Sequence, residues 1–65
     1  MKIKLTPQQK KALDFFSKGL SLREISVTMG VSYQRILNLL NEILAKTPYS
    51  NRTELLLNLS SLEIE

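Results

Sequence analysis

The chain has 65 residues, 43% of them apolar, and a net charge of +3 with no Cys and no His. That length suits one small domain near the lower limit for folding alone, and the missing Cys and His exclude a disulfide framework, a zinc-finger-type site and any Cys- or His-based nucleophile relay. No unbroken apolar run exceeds three residues, as at Leu55-Leu56-Leu57, against about 20 for a membrane span.

The first segment opens with Thr6-Pro7-Gln8-Gln9. Thr at the N-cap, Pro at the first helical position and Gln three residues on form a capping box. Ala12, Leu13, Phe16 and Leu20 follow at helical spacing, and Gly19 suits a left-handed helix end. A helix over about 7–18 is expected. Ser21-Leu22-Arg23-Glu24 is a second capping box, and Leu22, Ile25 and Met29 share one face of a short helix over 22–29. Gly30 ends it. Val31 can plug the angle to the next helix, and Ser32 can cap that helix at once.

The third helix is expected over 33–47. Ile36, Leu40, Ile43 and Thr47 form one stripe, flanked by Leu39 and Leu44. Gln34, Asn38, Asn41 and Ala45 form the opposite stripe, with Leu37 on the shoulder between. Pro48 stops this helix because it disfavours helical backbone in the residue before it. Asn51-Arg52-Thr53-Glu54 is a third capping pattern, opening a helix over 51–60. Leu55, Leu56 and Leu59 are expected to pack on the first helix, Leu57 to point outward with Leu62 beside it, and the tail from Ser60 to Glu65 to fray. No repeat or low-complexity segment stands out, so residues 1–65 read as one all-α, four-helix domain.

A long helix, a short helix, a tight turn with glycine and a longer helix make a helix-turn-helix, or an αα-corner of a small bundle. Several blocks carry a closer likeness: Leu5-Thr6-Pro7, Lys10-Lys11, Gly19-Leu20-Ser21, Glu24-Ile25, Val31-Ser32 and Asn51-Arg52-Thr53-Glu54. In this joint spacing the chain resembles the LuxR-type (GerE-like) helix-turn-helix domain of bacterial transcription regulators, without a gap from Leu5 to about Leu57. The resemblance implies a tetrahelical fold unrelated to winged helices. It places the third helix in the DNA major groove and the fourth at a dimer contact. Most members carry this domain behind a receiver or ligand-sensing domain, and some consist of it alone. This chain starts with Met and has no room for a sensor, so the expectation is a stand-alone regulator or an excised C-terminal domain.

The chain departs from the family where it matters for reading DNA. Family members usually have Thr-Val-Lys early in the third helix; here the aligned residues are Arg35-Ile36-Leu37. Two further contact positions of the family align with Asn38 and Asn41. The expected base contacts are Gln34, Leu37, Asn38 and Asn41. An Asn amide bonds adenine through N6 and N7, and Leu37 can touch a thymine methyl, giving an A·T-leaning site. The expected phosphate contacts are Ser21, through the second helix's N-terminus, with Arg23, Tyr33, Arg35 and Lys46. The Tyr33 ring either meets the sugar-phosphate backbone or covers Ile36 and Leu40, and the second reading is preferred. Tyr49 is expected half-buried, and Thr47-Pro48-Tyr49 stands where the family often has Leu-Gly-Val. The alternative is that Gln34, Asn38 and Asn41 are ordinary solvated residues and Leu37 is apolar surface for a partner protein.

Residues 1–35 carry seven basic and two acidic side chains, a balance of +5, and residues 36–65 carry two and four, a balance of −2. The basic half holds the elements expected to straddle phosphates. Leu56, Leu57 and Ser60 are the expected homodimer contact, since two domains would present paired helices to two half-sites. No cofactor, metal or small-molecule substrate is expected. The acidic residues are scattered and no Gly-rich phosphate loop is present, so the reading is not an enzyme. The expected role is sequence-specific binding of double-stranded DNA in the bacterial cytoplasm, on the nucleoid when bound and with no membrane association. The alternative is a protein-interaction module of the same fold that binds or titrates a full-length regulator without base readout of its own.

Overall fold

The computed structural model describes residues 2–65. Four helices run in chain order: α1 (Pro7–Ser17), α2 (Leu22–Met29), α3 (Tyr33–Ala45) and α4 (Arg52–Leu57). A single 3-10 turn, Leu59–Ser61, follows α4. Two short strands, β1 (Lys2–Ile3) and β2 (Glu63–Ile64), bracket the helices. The architecture is a small all-α domain with one minimal strand pair.

Every helix starts on the side chain expected of it. Thr6, Ser21, Ser32 and Asn51 accept from the backbone N–H three residues on, at 2.9–3.1 Å. The Thr6 and Ser21 boxes are closed by Gln9 and Glu24, whose side chains accept from the cap N–H groups. The helix ends of α1 and α2 share one geometry. Gly19 (φ 88°) and Gly30 (φ 69°) take the left-handed conformation. Just beyond them, Leu20 N–H donates to Phe15 O and Val31 N–H to Ser26 O. These are the bonds of a Schellman end, and Leu20 and Val31 both pack against the core.

Three helix ends differ from the sequence reading, and α4 starts at Arg52, one residue after its Asn51 cap. Helix α1 stops at Ser17, with Lys18 as its cap. Helix α3 stops at Ala45 rather than 47, because Pro48 excludes helical backbone at Thr47. Thr47 turns its hydroxyl back to Leu44 O at 2.9 Å instead. Helix α4 stops at Leu57 rather than 60. There Asn58 donates its side-chain amide to Glu54 O at 2.8 Å, competing with the backbone for a carbonyl, and the chain tightens into the 3-10 turn.

The tail does not fray. Strand β2 pairs in parallel with β1, Lys2 opposite Glu63 and Ile3 opposite Ile64, and Glu65 N–H donates to Ile3 O at 3.0 Å. A parallel pair needs a long crossover, and here the whole helical body supplies it. The clasp exists because Ile3 and Leu5 are buried, which draws the N-terminal segment onto the bundle and exposes its edge to the tail.

The core is one cluster: Ile3, Leu5, Ala12, Leu13, Ile25, Leu55 and four α3 residues, Ile36, Leu39, Leu40 and Ile43. Helix α3 packs on both α1 and α2, so the helix that fills the core also fixes its own outer face. Leu59 and Leu62 pack against this cluster, as do Phe16, Leu44 and the half-buried Tyr49. Leu62 thus turns inward instead of standing outside beside Leu57. Leu56 is exposed, contrary to the expectation that it packs on α1, because the inward position on so short a helix goes to Leu55. No buried side-chain nitrogen or oxygen lacks a partner among the described residues.

Candidate nucleic-acid interface

Helices α2 and α3 and the turn Gly30-Val31-Ser32 between them form a helix-turn-helix. On α3, Gln34, Asn38 and Asn41 are exposed, opposite the four core residues. Gln34 donates to Asn38 Oδ1 at 3.1 Å. The Asn38 oxygen keeps a second lone pair and its amide nitrogen keeps both hydrogens, so the group still offers the acceptor–donor pair that adenine requires. Leu37 is half-buried on the shoulder of the same face.

The cations divide into two sets. Arg23 is exposed on α2, and its guanidinium has no partner among the described residues. Arg35 is half-buried, donates from Nη2 to Gln8 Oε1 at 2.7 Å and faces Glu42 Oε2 at 3.7 Å. Lys46 donates to Lys4 O at 2.7 Å and to Gln9 Oε1 at 3.0 Å. Arg35 and Lys46 therefore tie α3 to the first turn of α1 and to the segment before it. Tyr33 opens α3 and is 49% exposed.

At the N-terminus of α2, Ser21 caps the helix with its hydroxyl and donates its backbone N–H to Glu24 at 2.9 Å. That backbone bond first, and the Ser21 hydroxyl second, hold the Glu24 carboxyl below its ordinary value. Leu57 is 76% exposed and Leu56 41% exposed. Ser60 lies in the 3-10 turn beyond α4, also exposed.

Some residues at this surface were not singled out from the sequence. Val27 is 76% exposed on α2, one turn beyond Arg23. Gln8, Gln9 and Glu42 build the polar link between α1 and α3. Gln9 is the least visible of them, because its N3 position accounts for it locally, yet it is buried and bonds Glu42 at 2.9 Å. Among the described residues no group of acidic side chains could hold a metal ion, and no helix is long and apolar enough to cross a membrane.

Comparison with known proteins adds one likeness. Over 52 residues, 80% of this chain, the sequence is 38% identical to a probable transcriptional regulator, ycf29, of Pyropia yezoensis. The matched stretch is 23% of that protein's length, so the chain spans about a quarter of the relative. No family model matches the chain, and no solved structure matches it.

Proposed function

We propose that this chain is a LuxR-type DNA-binding domain that regulates transcription by reading duplex DNA with α3 in the major groove. The observation that carries the reading is the α2–turn–α3 unit, whose second helix turns Gln34, Asn38 and Asn41 to solvent. A groove-reading helix needs this arrangement, an apolar stripe anchored in the core and amide side chains projecting on the other side. The likeness to a probable transcriptional regulator supports the same role. Of the three cations expected to meet phosphates, Arg23 is the best placed, being exposed and uncommitted. Tyr33 and the α2 N-terminus behind Ser21 complete the backbone contacts in this reading. Leu37 supplies an apolar edge for a thymine methyl. The protein is not a catalyst in this reading, and it acts in the cytoplasm.

A module this small covers little DNA, so a homodimer through Leu56, Leu57 and Ser60 is the assembly we propose for the bound state. Two copies would set two α3 helices on two half-sites. A second reading keeps the fold and replaces DNA by a regulator protein. It is favoured by the half-buried Leu37 and by the internal engagement of Arg35 and Lys46.

Selection of tight binders from random-sequence duplex DNA, across a salt series, tests the proposal. The expected result is a palindromic, A·T-leaning motif, weakened by about 1–3 kcal/mol for each of Asn38→Ala and Asn41→Ala. Weak binding without sequence preference, lost at physiological salt and unchanged by both variants, would favour the regulator-binding reading.

A further inference from the structure

Glu42 stands on α3 one helical turn beyond Asn38 and two beyond Arg35, so the three share one row of the helix. A carboxylate in that row is out of place on a surface meant to approach phosphates. Its geometry shows that it is held there. Gln9, only 5% exposed, donates to Glu42 Oε1 at 2.9 Å. The Gln9 oxygen is in turn fixed by the Thr6 N–H and by Lys46 Nζ, each at 3.0 Å. The other carboxylate oxygen, Oε2, faces the Arg35 guanidinium at 3.7 Å. A buried amide thus orients an exposed carboxylate towards an arginine whose other arm is taken by Gln8.

We propose that Glu42 is an intramolecular counter-ion that withholds Arg35 from phosphates and so restrains sequence-independent binding to DNA. The inference rests on the DNA-binding reading above. Both partners are partly exposed, and an ion pair of that kind adds little to fold stability, so its loss costs the fold little. Towards DNA it matters more. A duplex gains from Arg35 only by displacing Glu42, and the carboxylate left behind repels the phosphates. Loose, phosphate-only encounters, which supply non-specific affinity, do not compensate for that exchange. Close seating of α3 on a preferred sequence does.

The test is a two-by-two set: the full chain, Glu42→Gln, Arg35→Gln and the double variant. Each binds a short random-sequence duplex over a salt series, with folding checked by far-UV circular dichroism and a melting curve. Glu42→Gln keeps an oxygen for Gln9, removes the charge and turns an amide nitrogen to Arg35 in place of the carboxylate oxygen. It is expected to bind several-fold more tightly at low salt, with a log–log salt slope steeper by about 0.9, the signature of one added phosphate contact. In the Arg35→Gln background the same change is expected to have little effect on affinity or slope. An equal gain in both backgrounds would overturn the proposal and make Glu42 a general repulsive charge. So would an unchanged affinity and slope in Glu42→Gln while the parent chain binds. Failure of the parent chain to bind duplex at low salt would overturn the DNA-binding reading itself, and this inference with it.

Discussion

Helix α4 gives the sharpest separation between a residue that holds the fold and one left free for a partner. Leu55 is completely buried, whereas Leu57, two residues on, is 76% exposed. Leu55→Ala removes a fully packed side chain and leaves a cavity, at a cost of about 3 kcal/mol. A chain of this size rarely holds more than about 3–5 kcal/mol in total, so this variant sits at the edge of unfolding. In a domain this short, 3 kcal/mol corresponds to a melting point lowered by roughly 12–24 °C. Leu57→Ala should change stability by no more than about 0.5 kcal/mol, as for other exposed positions. Leu57→Glu should fold equally well. The assay is thermal and urea unfolding followed by circular dichroism, at several concentrations, because a dimer makes the melting point concentration-dependent. If α4 carries the dimer, Leu57→Glu abolishes that dependence and sedimentation gives the mass of one chain. A Leu55→Ala protein that melts with the parent would refute the packing argument, and so would a Leu57→Ala protein destabilised as much as Leu55→Ala.

Three further outcomes follow from local geometry. Replacing Ile3 by Ala should cost about 2–4 kcal/mol and loosen the β1–β2 clasp; hydrogen exchange at Glu65, whose N–H donates to Ile3 O, reads the loosening, and full protection there would contradict the pairing. Gly30→Ala meets no atom within 4 Å but must adopt φ 69°, so it should destabilise by about 1–2 kcal/mol from backbone strain alone; Gly30→Asn should lose less by urea titration, and an Ala variant as stable as the parent would exclude the left-handed turn. The Glu24 carboxyl, held low by Ser21, contributes stability that is present above the ordinary Glu value and is lost as pH falls through its lowered folded value. Ser21→Ala keeps the backbone N–H that holds the carboxyl most and removes only the hydroxyl, so an NMR titration should show Glu24 protonating at lower pH in the parent than in this variant, with equal titrations excluding the hydroxyl's share.

The legible and illegible parts of this chain divide by distance along the sequence. Caps are local chemistry: Thr6, Ser21, Ser32 and Asn51 each find their partner three residues away, so residue type and spacing suffice to read them. The two faces of α3 follow from a 3.6-residue period, so the exposure of Gln34, Asn38 and Asn41 could be read without knowing what covers Ile36 or Leu40. The clasp could not. Ile3 and Ile64 meet across the whole helical body, and two-residue strands are too short to show alternation. The link from Gln9 to Glu42 spans 33 residues, and an amide in a polar first turn looks like solvated surface.

That second gap changes how the charge of the chain is to be weighed. Nine basic residues set the net charge, yet the fold does not offer all nine equally. Lys2 and Lys18 face Glu65 and Asp14, Arg35 faces Glu42 and Gln8, and Lys46 is drawn to the Lys4 carbonyl and to Gln9. Among the described residues, the side chains of Lys4, Lys10, Lys11, Arg23 and Arg52 keep no such partner. Four of these five lie between residues 4 and 23, in the segment before α1, in α1 and in α2. If duplex DNA is the ligand, the salt-sensitive part of binding should therefore come mainly from these elements, with α3 supplying amides and one arginine under restraint. Charge reversal at Arg23 should then flatten the salt dependence of binding, whereas charge reversal at Lys46, whose ammonium the fold already uses, should act first on stability.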